Sequence, residues 1–174
     1  MHVTEPTTMV TDYLLAVECV FFGLSFLARS RRAGRGSVAL WVAAFAITAV
    51  AGLAGGTAHG FRLYLGAHGS VLRTVTVWSI GAGAVLLLLA GLRSVLRPET
   101  DAQTDRKAGG SWLKKGIVVS AIGIVLMVSK ASLHPHFNQN DLYHVVQMVG
   151  LYCFYKGGLL LHGLNRLPAS AVGR

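Results

Sequence analysis

The residues of this chain best able to do chemistry are its histidines and carboxylates, and several stand in or beside long apolar stretches. His59, His134, His136 and His144 belong to this set, with Asp12, Glu18 and Asp141. Imidazole and carboxylate groups from several helices can hold Zn²⁺, and a catalytic zinc keeps one position open for water. Such water ionises near neutral pH and can attack an ester or an amide. On that reading His59 and His144 are the first metal ligands and His136 the third, with His134, Asp141 and Glu18 as alternatives for the third place. Glu18 or Asp141 is then the general base. There is no HExxH, and HPH at 134–136 is a weak signal by itself. The competing reading is a hydrogen-bonded polar cluster that holds helices together.

The densest of these groups open the stretch NQNDLYHVVQMVGLYCFYKGGLLL, residues 138–161. Asn140 and Asp141 lie four and three residues before His144, so on a helix all three share roughly one face. Gln147 and Met148 continue that face, and Tyr155 lies further along it. Asn138, Gln139, Asn140 and Asp141 also suit a helix cap at a water interface. His144 sits deeper, where a polar group is costly and normally faces the bundle interior.

The elements that must position these groups are membrane spans. The chain has 174 residues, 53% hydrophobic and only 13% charged, a balance foreign to soluble domains. Residues 36–61 contain one ionisable side chain, His59, and residues 74–92 contain none; about 20 apolar residues cross a bilayer core. The pattern predicts an all-α polytopic membrane bundle of five transmembrane helices, at about 12–28, 38–60, 75–95, 112–131 and 139–161. They form one domain over 1–174, with a hydrophilic loop at 96–111. The start, MHVTEPTTMVTD, lacks the basic region expected of a cleavable signal peptide. Cys19 and Cys153 fall near mid-span and are expected to be small buried residues, not a disulfide.

The net charge of +9 does not point to nucleic acid, because the basic residues sit in short loops and form no stripe with aromatics. Most of the 16 Lys and Arg fall in the loops after spans 1 and 3 and in the C-terminal tail. The positive-inside rule then places the N-terminus outside and the C-terminus in the cytoplasm, in a plasma membrane protein. Asp12 opens span 1, Glu18 lies about 9 Å below it, His59 ends span 2, and His144 opens span 5. These groups therefore converge on the outer leaflet. Lys156 and His162, in the inner half, are expected to snorkel.

Two motifs resemble a known family. AGGTAHGF at the end of span 2 is similar to the small-residue, hydroxyl and histidine segment of the CREST superfamily, which includes alkaline ceramidases. YHVVQMVGLY in span 5 is similar to that superfamily's last helix, and YLLAVECVFFG loosely resembles its acidic first helix. The resemblance implies a zinc-dependent hydrolase of lipid amides or esters, with His59 and His144 as zinc ligands and Thr57 near the catalytic serine position. Asn140 stands where that family's other last-helix histidine would be, no aspartate opens span 3, and five spans replace seven.

Membrane lipids and a lipid-like substrate are the partners implied. A non-catalytic membrane module, meaning a subunit, sensor or small-ligand carrier, is the alternative from another class. GLAGG, GAGAV and GG let helices approach closely, for internal packing first and homo-oligomers second. Haem between His59 and His144 is the weaker cofactor reading, since spans 3 and 4 offer no further histidine. An ion pathway would need ionisable groups through the full thickness, which the sequence does not supply.

Overall fold

The computed structural model describes residues 3–33, 38–130, 132, 134 and 137–165, with 32 and 33 as backbone alone. Five helices account for nearly all of them: α1 Pro6–Ala33, α2 Ala39–Gly60, α3 His68–Leu96, α4 Gln103–Val128 and α5 Gln139–Leu161. Among the described residues no strand is present. A helix satisfies its backbone groups within the segment, as a hydrocarbon environment demands. Helices α1 to α4 are long and apolar enough to cross a membrane. α5, with its polar first turn, Gln147 and Lys156, is not among them.

The helices outrun the apolar runs that announce them. Pro6 opens α1 six residues before Asp12, its fixed φ suited to a first helical turn. α4 begins at Gln103, so most of the expected 96–111 loop is helical. Tertiary packing explains this: Gly109 fits against Leu161 and the carbonyl of Gly157, so a polar stretch is held along the end of α5.

Neighbours α1–α2, α2–α3 and α4–α5 pack extensively, α5 also meets α1 and α3, and α3 and α4 scarcely touch. α1 and α5 run the same way, with Thr11 beside His144 at one end and Phe26 beside Tyr155 further along. The glycine motifs work inside the chain. A Cβ on Gly52 would stand 2.7 Å from the Asp12 carbonyl oxygen, and one on Gly83 would stand 2.6 Å from Thr48 Oγ1.

Aromatic rings fill the core between α1, α2 and α5. Phe22 stacks on Tyr155 at 4.3 Å, and Phe26 stacks on Trp41 at 5.5 Å. Cys19 and Cys153 are buried and free. The exterior is apolar: Leu14, Val17, Phe21 and Leu24 form an exposed stripe on α1, as Trp78 and Leu92 do on α3. A continuous apolar surface of this extent suits a bilayer.

Candidate functional site

A cavity of about 510 Å³ runs between the helices, within the range typical of small-molecule sites. Its ionisable groups are concentrated at one end: Asp12 from the start of α1, His59 from the end of α2, and Tyr143 and His144, beside Asn140, from the start of α5; Thr48, Thr76, Ser120 and Gln147 also line it. Leu15, Leu87, Leu88, Ile117 and Leu151 are among the aliphatic walls of the rest.

Local structure explains how α5 presents its side. Asn138 caps the helix, its side chain accepting from the backbone N–H of Asn140 and Asp141, while Asp141 Oδ2 accepts from the Asn138 N–H at 2.8 Å. This reciprocal capping box engages Asp141 through Oδ2, while its Oδ1 is buried without a hydrogen-bond partner. Asn138 Nδ2 also donates to Thr8 Oγ1 at 3.3 Å, fixing the start of α5 to that of α1. His144 is thereby delivered to Asp12, with Nε2 at 3.3 Å from Oδ1, both side chains largely buried.

Hydrogen-bond accounting then constrains the protons. The Thr11 hydroxyl donates its one proton to the Thr8 carbonyl at 3.1 Å. In that arrangement its oxygen is the acceptor in the 3.1 Å contact with His144 Nδ1, which then carries a proton. The contact between Nε2 and Asp12 then holds one further proton, either on the carboxyl or on the imidazole. In both arrangements the pair is neutral as a unit, which suits its depth. Asp12 Oδ2 remains an acceptor in both; it is buried without a hydrogen-bond partner.

His59 enters the same cavity with its Nδ1 held by Glu5 Oε2 at 2.9 Å, and Arg62 stands 3.8 Å from the other Glu5 oxygen. Thus the structure brings His59 and His144, from different helices, to one cavity. The remaining expected residues are placed elsewhere. Thr57 donates to the Leu53 carbonyl and meets the Tyr13 hydroxyl at 3.1 Å. Glu18 is half-buried outside the cavity walls, with Oε2 unpartnered, and Asp141 is engaged in the cap. His136 lies outside the described residues. Among the described residues no three His, Cys, Asp or Glu side chains form a group that could hold a metal ion.

His162 does not snorkel. It is buried at the opposite end, with Nε2 3.1 Å from Ser94 Oγ and Nδ1 3.2 Å from Glu99. Ser94 also accepts from Trp41 Nε1 at 3.0 Å, so this cluster ties α2, α3 and α5 together.

Sequence reasoning passed over Thr11 and Glu5 and gave Asp12 no role. A signal was present: Glu5, Thr8, Thr11 and Asp12 recur at helical spacing before the apolar run begins. Starting the span at Asp12 left most of that stripe outside the helix.

A family model described as a family of unknown function, DUF6962, matches residues 7–102 and 100–162. No curated protein matches the chain, and no solved structure does.

Proposed function

The chain belongs to DUF6962, and from that premise we propose a multi-pass membrane protein that binds a small amphiphilic molecule drawn from the bilayer. The observation that carries this reading is the uneven polarity of the cavity. A cavity with mostly apolar walls, whose ionisable groups Asp12, His59 and His144 gather at one end, matches a molecule with an apolar tail and a polar head. In this reading α5 completes a five-span bundle in the plasma membrane, with the N-terminus outside. The polar end then opens toward the outer leaflet.

The Asp12–His144 pair supplies the polar contact and a proton that can move between carboxyl and imidazole. Thr11 holds the ring so that Nε2 faces Asp12. Native mass spectrometry of the purified chain, with lipids retained from the membrane, tests the proposal. Wild type should carry a bound amphiphile, and Asp12→Asn and His144→Gln should each lower occupancy about tenfold, the loss expected when roughly 1.4 kcal/mol of polar contact is removed. Full occupancy in both variants would sink it.

A zinc-dependent hydrolase of lipid amides or esters, as the CREST resemblance implies, is the second reading. One observation favours it: His59 and His144 share a cavity and each has Nδ1 engaged, by Glu5 and Thr11, as second-shell partners orient metal-bound imidazoles. Bound zinc would supply a Lewis acid and an ionised water. Among the described residues no group of three such side chains is placed to hold a metal ion. Metal content of the same preparations decides: zinc in wild type that disappears in His59→Ala and His144→Ala supports this reading, and zinc-free wild type retires it.

A further inference from the structure

The cavity walls are unequal. Leu15, Ala51 and Leu151, contributed by α1, α2 and α5, line the cavity and are buried behind it. On α3 and α4 Leu87 is buried, but most of the lining residues are also open: Ile80 is 46% exposed, Leu88 57%, Ile117 51% and Ile124 52%. A side chain that lines a cavity while half exposed marks an opening. α3 and α4 are consecutive but scarcely touch, so the opening is the seam between them. Along α3 it extends from Thr76 to Leu88, a rise of about 18 Å. Both helices are long and apolar enough to cross a membrane, so the seam faces the hydrocarbon, where acyl chains are as apolar as leucine.

The polar end narrows the occupant. Asp12 lines the cavity, its side chain is 8% exposed, and its Oδ2 is buried without a partner. That oxygen is an acceptor whichever partner holds the shared proton. A head group that donates an O–H or N–H satisfies it, whereas an anionic head would set acceptor against acceptor. Sites built around one hydrogen bond discriminate strongly on that basis.

We infer that the α3–α4 seam is a lateral portal through which a long-chain molecule with a donating, non-anionic head slides in from the bilayer, its head reaching Asp12 and its chain remaining in the seam. This rests on the amphiphile-binding reading and adds the route and the head-group class.

The test uses the full chain in lipid nanodiscs with two photoreactive probes, hexadecanol and hexadecanoic acid, each carrying a diazirine along the chain. The alcohol should label cavity-lining residues of both α3 and α4, with Ala84 and Ala121 among them, and the acid should label them roughly tenfold less. Ala84 and Ala121 are exposed, so Ala84→Trp with Ala121→Trp can fill the seam without displacing core. This double variant should lower alcohol labelling about tenfold, and Leu53→Trp, on the exposed side of α2, should leave it at the wild-type level.

Undiminished labelling of the double variant, while Asp12→Asn still loses it, overturns the portal and leaves the binding reading standing. Equal labelling by acid and alcohol overturns the head-group assignment. Labelling of wild type no stronger than that of its exposed helix faces overturns both the portal and the binding reading. Cross-linking of two copies through Ala84→Cys, with exclusion of the alcohol, would make the seam an interface between chains and overturn the portal.

Discussion

At the residue scale, the decisive group is Thr11, which touches no cavity wall yet fixes the ring that does. With its hydroxyl proton directed to the Thr8 carbonyl, its oxygen accepts from His144 Nδ1. Thr11→Val keeps the shape and removes that acceptor, leaving a buried N–H unsatisfied at about 1–3 kcal/mol. Thr11→Val should lower both thermal stability and ligand occupancy, and Thr11→Ser should restore both. Nitrogen NMR of His144 should show the Nδ1-protonated form losing its preference in the valine variant alone. An unchanged spectrum would contradict the proton accounting. At this scale the sequence disclosed depth and not direction. His59 and His144 could be assigned to one level by counting residues along helices, and the cavity brings them together. Counting places Glu18 and Asp141 in the same leaflet, and the resemblance puts Thr57 near the serine position, but which way each side chain points depends on helix rotation and on caps. Asp141 turns into the capping box because Asn138 precedes it at the right spacing, and Thr57 turns to its own backbone, as threonine does in apolar helices.

At the element scale, apolar runs announce all five helices, and their ends are where the reading slips. The polar start of α4 is helical because Gly109 and Gly116 let it lie close along α5, a contact that no local pattern reveals. The same small-residue logic sets α1 against α2. Gly52 lets the Asp12 backbone approach, and Gly55 leaves room for its carboxylate, whose Oδ2 would stand 3.1 Å from an added Cβ. Gly52→Ala would place that Cβ 2.7 Å from the Asp12 carbonyl oxygen, against backbone that cannot rotate away. Overpacking of this kind costs roughly 1–3 kcal/mol. Gly52→Ala should therefore lower the unfolding temperature in detergent and weaken ligand occupancy by displacing Asp12 from His144. Gly81 has open space around the same position, so Gly81→Ala should change neither quantity. If both alanine variants melt together with wild type, the close α1–α2 approach is not what holds Asp12 in place.

At the scale of the whole molecule, the two ends differ in kind, and orientation decides which solution each one meets. The end with Asp12, His59 and His144 carries the cavity's ionisable groups, while the end with Glu99 and His162 uses its polar groups to tie α2, α3 and α5 together. The orientation proposed from charge placement has the first end outside. Arg29, Arg31, Arg93 and Arg97 lie near the opposite ends of α1 and α3, where the positive-inside rule assigns cytoplasm. Ala67 and Asp101 are exposed and stand just beyond opposite ends of α3, so they report the two faces. With Cys19 and Cys153 replaced by alanine, an impermeant maleimide should label Ala67→Cys in intact cells. Asp101→Cys should label only after permeabilisation. The reverse pattern would turn the bundle over and aim the Asp12–His144 end at the cytoplasm. The seam between α3 and α4 would still face lipid, because rotation about an axis in the membrane plane exchanges the leaflets and leaves the lateral opening lateral. The labelling therefore decides from which leaflet a head group reaches Asp12, independently of whether it arrives through the seam.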